Sequence, residues 1–154
     1  MPKKINIALA GFGNIGSYFY QILEKNKKNI SIKTGKIPFI KYISAKNFNK
    51  ERNIKIPKAK WIKNPLDLVL KNDVDIIVEL IGGSEGIAKK LIFSALKKQK
   101  HIITANKALM SKYGDELANL AEKNYVNLEY EASVAGGVPI IRSIKEGLIA
   151  NKIN

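Results

Sequence analysis

Ile5-Asn6-Ile7-Ala8-Leu9-Ala10-Gly11-Phe12-Gly13-Asn14-Ile15-Gly16 is the stretch that decides the fold. An apolar run leads straight into G-x-G-x-x-G, and residues 17–25 continue with helical character. Each glycine has its own reason in such a strand–turn–helix unit. Gly11 allows the tight turn out of the strand. Gly13 removes a side chain where the backbone must approach a ligand. Gly16 lets the helix pack close to the strand. The free N–H groups and the positive dipole end of the helix then face an anion. A glycine loop alone is a weak signal. Set between a strand and a helix, it reads as a dinucleotide pyrophosphate site lined by Gly11, Phe12, Gly13, Asn14, Ile15 and Gly16 rather than as a bland turn.

The rest of the chain alternates in the same sense. Strands are predicted at residues 4–10, 38–45, 75–81, 101–104 and 126–130, with a short one at 59–62 carrying the only tryptophan, Trp61. Helices are predicted at residues 15–25, 85–98, 108–124 and 138–150, with 27–35 and 46–57 as polar connections. A short helix is predicted at residues 65–71, where Asn64 can cap and Pro65 suits the first turn. Strands alternating with helices imply an α/β fold, a Rossmann-type doubly wound and mostly parallel sheet with helices on both faces. Ligand is expected at the carboxyl ends of the strands, near the topological switch point.

Composition narrows the partners. The 154 residues have room for one domain. The formal charge of +14 suggests a polyanion partner, but nearly all of it is lysine, and Arg52 and Arg142 are the only arginines. No aromatic residues interleave with the lysines as a base-stacking platform would require, so no specific nucleic-acid partner is expected. The absence of cysteine excludes a disulfide framework and a thiolate metal site. The single histidine, His101, has no acid or nucleophile paired with it in the sequence and reads as structural. No apolar run approaches the ~18 residues of a membrane span, and the start Met1-Pro2-Lys3-Lys4 does not lead into a signal segment. A cytoplasmic protein with no membrane partner is the expectation.

The end of the second strand bears on cofactor choice. It reads Ser44-Ala45-Lys46-Asn47, and no carboxylate stands there to hold a ribose 2′-OH. Lys46 is the candidate to receive a 2′-phosphate, with Lys50 or Arg52 in support. NADP(H) is therefore expected over NAD(H), with dual use as the alternative.

Three further motifs sit at strand ends. They are Val78-Glu79-Leu80-Ile81-Gly82-Gly83, Thr104-Ala105-Asn106-Lys107-Ala108-Leu109, and Tyr130-Glu131-Ala132-Ser133-Val134-Ala135-Gly136-Gly137-Val138-Pro139-Ile140-Ile141. In order and spacing behind the glycine loop they resemble the nucleotide-binding half of homoserine dehydrogenase, and the resemblance covers nearly the whole chain. It implies reduction of aspartate semialdehyde to homoserine with NAD(P)H, and the reverse, a step in making threonine and methionine. Gly82, Gly83 and Ser84 would then pass near the ribose and nicotinamide. Lys107 would point into the cleft as both a cofactor contact and the catalytic cation. There it would steer the substrate carboxylate or polarise a carbonyl oxygen as charge develops. The third motif resembles the family's monovalent-cation site, where mainly carbonyl oxygens at Glu131, Val134, Gly136 and Val138 would hold a sodium-like ion.

The resemblance also sets the domain organisation. Residues 1–137 would be the dinucleotide-binding domain, and 138–154 the start of a helix leading into a substrate and dimerisation domain. That domain would bring the proton-donating lysine, the residues holding the substrate amino group and most of a homo-oligomer interface. The chain alone is expected to show little dehydrogenase activity. It is also expected to expose an apolar stripe at Ile140, Ile141, Ile144 and Leu148. A non-catalytic NADP-binding regulatory or interaction module is the alternative.

Overall fold

The computed structural model describes residues 2–47, 54, 56–57, 60–148 and 150. Lys50, Arg52 and Ala59, which the sequence reading used, lie outside them.

Five strands form one parallel sheet: β1 (Lys3–Ala10), β2 (Lys36–Ser44), β3 (Ile76–Glu79), β4 (His101–Thr104) and β5 (Leu128–Glu129), in the order β2-β1-β3-β4-β5. Between them run α1 (Asn14–Thr34), α2 (Ile87–Lys97) and α3 (Lys107–Lys123). The predicted strand at 59–62 is reduced to a single parallel bridge, Trp61 to Ile43 on the outer edge of β2, with the Ile62 N–H donating to the Ile43 carbonyl at 2.8 Å. Counted as a vestigial strand, it restores the doubly wound order 3-2-1-4-5-6.

Alternation along the strands sorts two cores. Ile7 and Leu9 of β1 join Ile40, Ile43 and Val78 under α1, with Phe19 and Leu23 from that helix. Ala8 and Ala10 face the other way, with Ile77, against Leu91, Ile92, Ala95 and Leu96 of α2 and Leu109, Leu117 and Ala121 of α3. Small residues on the second face of β1 let two helices pack close there. The expected doubly wound α/β architecture is what forms.

Four further segments differ from expectation. Helix α1 runs on through 27–35, expected as a polar connection, and stops only at Gly35, which takes φ 65° and donates to the Ser31 carbonyl at 2.9 Å. Nothing between Lys25 and Gly35 breaks a helix, and a left-handed glycine is the stop signal that mattered. The short helix at 65–71 is a single 3-10 turn, Pro65–Leu68, with the Asn64 side chain accepting from the Leu66 N–H at 3.1 Å as its cap. Glu131–Val134, expected as loop, forms one helical turn, α4. The helix expected at 138–150 is only α5 (Ile140–Arg142), continued by a wider turn over Ser143–Gly147. It lies outside the core. Ile140, Ile144 and Leu148 are 43%, 41% and 44% exposed, and Ile141 is half-buried.

Candidate functional site

The strands β2, β1 and β3 end together. The Gly11 N–H donates to the Ser44 carbonyl at 2.9 Å, and the Leu80 N–H to the Ala10 carbonyl at 2.7 Å. The chain leaves β1 toward α1 on one face and β3 toward α2 on the other. A crevice opens between the two exits, at the switch point where doubly wound sheets bind ligands. It is a cleft of about 740 Å³ lined by Gly11, Phe12, Gly13, residues 44–47, Lys63, Pro65, Leu80, Ile81 and Ile87.

Its electrostatics favour an anion. Helix α1 starts at this cleft with Gly13 as its cap, and α2 starts beside it with Gly86 as its cap. Neither first turn is capped by a side chain or holds an acid. The N–H groups of both first turns therefore carry partial positive charge toward the crevice. Lys46 and Lys63 add two cations, and no acidic side chain is among the lining residues.

The glycine loop is shaped by contact. A Cβ on Gly11 (φ 103°) would stand 2.5 Å from the Leu80 carbonyl oxygen, and one on Gly16 would run into the Gly11 carbonyl. Gly13 differs: its φ is −83°, and a Cβ there would meet nothing within 4 Å. No close approach within the described residues requires glycine at Gly13, and the space before it is open at the cleft. Phe12 is buried, packed edge-on against Tyr20 and Trp61 at 5.9 and 5.5 Å between ring centres.

Of the residues predicted from sequence, Gly11, Phe12, Gly13 and Lys46 line this cleft. Gly16 is buried behind it, and Asn14 and Ile15 are exposed on the first turn of α1. Gly82, Gly83, Ser84 and Lys107 are not among its lining residues: the first three lie on the loop after β3, next to the lining residue Ile81, and Lys107 follows the loop after β4. Gly82 and Gly83 both take φ 81°. Lys107 is the first residue of α3, exposed, behind the cap Asn106. Lys63 is a cleft residue that the sequence reading passed over. It lies seventeen positions beyond Lys46 and reaches the site because Trp61 pairs with β2. Only that long-range pairing could have flagged it.

The segment after β5 is organised by Glu131. Its carboxyl oxygens accept from the Ile141 and Arg142 N–H groups, both at 3.0 Å, and cap α5. Val134, Gly136 and Val138 are exposed, and the Val138 carbonyl accepts from the Ile140 N–H at 2.8 Å. No cluster of acidic, histidine or cysteine side chains suited to a metal occurs among the described residues, a statement that leaves carbonyl-built sites aside. His101 Nδ1 accepts from the Asn127 N–H at 3.0 Å. No helix among the described residues is long and apolar enough to cross a membrane.

Comparison with known proteins agrees with this geometry. Residues 11–131 match the family described as homoserine dehydrogenase, NAD binding domain. Over 151 residues the chain is 44% identical to a homoserine dehydrogenase of Neisseria gonorrhoeae, covering 98% of this chain and 34% of that protein. The crystal structure of a homoserine dehydrogenase from Thiobacillus denitrificans superposes with a TM-score of 0.88 at 37% identity, over 98% of this chain and 35% of the other. That of Staphylococcus aureus gives 0.82 at 39% identity, over 90% and 34%. The chain thus spans about a third of the length of these relatives. With the glycine loop, the switch-point cleft and the match in agreement, the chain belongs to the homoserine dehydrogenase family, as its NAD-binding domain.

Proposed function

We propose that this chain is the NADP(H)-binding part of a homoserine dehydrogenase, serving hydride transfer between the nicotinamide and aspartate semialdehyde or homoserine. The observation that carries the cofactor reading is the cleft itself. An uncapped helix start, a glycine with open space before it and two lysines, with no acid among the lining residues, converge on one crevice. The backbone of Gly11–Gly16 would hold the pyrophosphate. Lys46, joined by Lys63, would receive the 2′-phosphate, where a carboxylate would repel it. Gly82, Gly83 and Ser84 would border the nicotinamide ribose. When bound, the nicotinamide supplies the hydride or takes it up. Lys107 would orient the substrate carboxylate or stabilise the oxygen that gains charge.

Two finer parts of the reading rest on the family. A sodium-like ion would be held by the carbonyls of Glu131, Val134, Gly136 and Val138. Catalysis would also need side chains beyond the third of the family's length present here, so this chain alone would turn over little substrate. The cytoplasm is the compartment this reading implies, with no specific nucleic-acid partner.

The test is titration with NADPH and NADH at physiological salt, followed by nucleotide fluorescence. Salt at that level suppresses the diffuse polyanion affinity expected of a chain with charge +14. NADPH should bind about tenfold more tightly, and Lys46→Glu or Lys63→Glu should each erase that preference while leaving NADH nearly unaffected. A folded chain that binds neither nucleotide would overturn the cofactor reading. A preference indifferent to both lysines would overturn the assignment of the phosphate.

A further inference from the structure

Four of the five buried polar side chains among the described residues form one connected group: Glu79, Thr104, Asn106 and Ser133. Glu79 ends β3 and is fully buried, yet no ion pair reaches it among the described residues. One of its carboxyl oxygens accepts from the Ile81 N–H at 2.7 Å and the Gly82 N–H at 3.2 Å, and the other from the Thr104 hydroxyl at 2.6 Å. Thr104 Oγ1 accepts in turn from the Asn106 N–H at 3.1 Å, and its carbonyl from the Ser133 hydroxyl at 2.8 Å. The Asn106 amide donates to the Gly83 carbonyl at 2.7 Å, while its oxygen caps α3 at the Leu109 N–H, 3.1 Å away.

This group joins the loops that follow β3 and β4. A Cβ on Gly82 or Gly83 would meet nothing within 4 Å, so no close approach requires glycine at either position. Their φ of 81° is one that glycine can leave at little cost. What holds Ile81 and Gly82 is Glu79, and what holds Gly83 is Asn106. Asn106 also sets the start of α3, where Lys107 stands. A buried polar network costs more than an apolar core unless every member is satisfied, and it specifies geometry when it is.

We propose that Glu79 is a positioning residue. Through Thr104 and Asn106 it locks the 81–83 loop and the base of Lys107 into one register, which presents the nicotinamide half of a bound dinucleotide to that lysine. The proposal rests on the dinucleotide reading above and assigns the adenosine half no dependence on Glu79. That half would lie against Gly11–Gly16, Lys46 and Lys63, to which none of the hydrogen bonds of the network runs.

The two halves of the ligand provide the test. Titration calorimetry on the 154-residue chain would compare NADPH with 2′,5′-ADP, which lacks the nicotinamide. The isosteric Thr104→Val removes the hydroxyl that links Glu79 to Asn106, and Thr104→Ser restores it. Glu79→Gln turns one acceptor into a donor aimed at Thr104. Thr104→Val and Glu79→Gln should weaken NADPH about tenfold and change 2′,5′-ADP by less than about twofold, while Thr104→Ser stays within about twofold on both. Should the core variants fail to fold, Asn106→Asp decides by the same two titrations. It keeps the acceptor that caps α3 and deletes the donor to Gly83. Equal losses on both ligands would mark the network as structural only and overturn the proposal, as would an unchanged NADPH affinity in a folded variant. A wild-type chain that binds neither ligand would instead remove the dinucleotide reading and this proposal with it.

Discussion

Two glycine loops leave the neighbouring strands β1 and β3, and they are held by opposite means. In the first, Gly11–Gly16, the glycines are required by contact: a side chain at Gly11 meets the Leu80 carbonyl, and one at Gly16 meets Gly11. In the second, Gly82, Gly83 and Gly86 all take positive φ, yet each has open space where a side chain would go. Side chains fasten that loop instead: Glu79 and Asn106 from within, Glu85 from outside. In the first loop the close fit of the backbone demands glycine. In the second, polar side chains hold the backbone groups. Identical residue types therefore carry different consequences on the two sides of one site.

The largest expected effect lies in the first loop. Gly16→Ala should destabilise the fold by about 3 kcal/mol, because its methyl must displace backbone rather than a flexible side chain. Gly13→Ala, three residues earlier, has an ordinary φ and an empty surround, so it should shift stability by less than about 0.5 kcal/mol. The same methyl should weaken NADPH binding by about tenfold, since it fills the space a phosphate would use. Urea unfolding and nucleotide titration of both variants decide it. Equal destabilisation by the two substitutions would break the contrast between fitting glycine and vacant glycine.

In the second loop the corresponding effect should arise at a side chain. Asn106→Ala removes the cap of α3 and the hold on Gly83 together, and should cost about 2 kcal/mol in urea unfolding. Asn106→Asp, which keeps the cap, should cost less than half of that. If Asn106→Asp unfolds like wild type, the bond to Gly83 adds nothing to loop stability, and the polar fastening of this loop would be confined to Glu79.

The difference between the loops also explains what could be read from sequence. The glycine loop, β1, the buried β3 and the β4 run Ile102-Ile103 are legible because local pattern and fold agree there. The fastenings of the second loop are not, because Glu79 and Thr104 meet only through pairing of β3 with β4. Lys63 escaped for the same reason: a single bridge at Trp61 brings it to the cleft. The overlong α1 and the shortened C-terminal helix fail differently. Lysine-rich segments have helical propensity on either side of a boundary, so only Gly35 ended the first. At the other end, Val138-Pro139-Ile140-Ile141 has the apolar pattern of a packed helix, but no core residue lies opposite it.

The smallest effect expected is also the one that separates charge from packing in the second loop. Glu85 stands just before α2. It accepts from Lys112 Nζ at 2.6 Å and from the Tyr113 hydroxyl, and Lys89 Nζ lies 3.8 Å away and 3.9 Å from the centre of the Tyr113 ring. The hydrogen bond from Lys112, then that from Tyr113, holds its carboxyl at about 2, below the usual 4.5. A carboxyl that binds protons less readily folded than unfolded stabilises the fold above the unfolded value, and that contribution fades as pH falls from 4.5 toward about 2. Wild type should therefore melt slightly above Glu85→Gln at neutral pH, with the gap closing through that window. The gap should also shrink in high salt, since all three partners are solvent-exposed or nearly so. A gap that stays constant from neutral pH to pH 2 would mean that Glu85 acts by ordering the Lys89–Tyr113 stack rather than by its charge. Gly16→Ala serves as the reference. Its deficit comes from backbone contact and should not follow that window, so a common pH profile for the two variants would mean that the loops are not held by different forces after all.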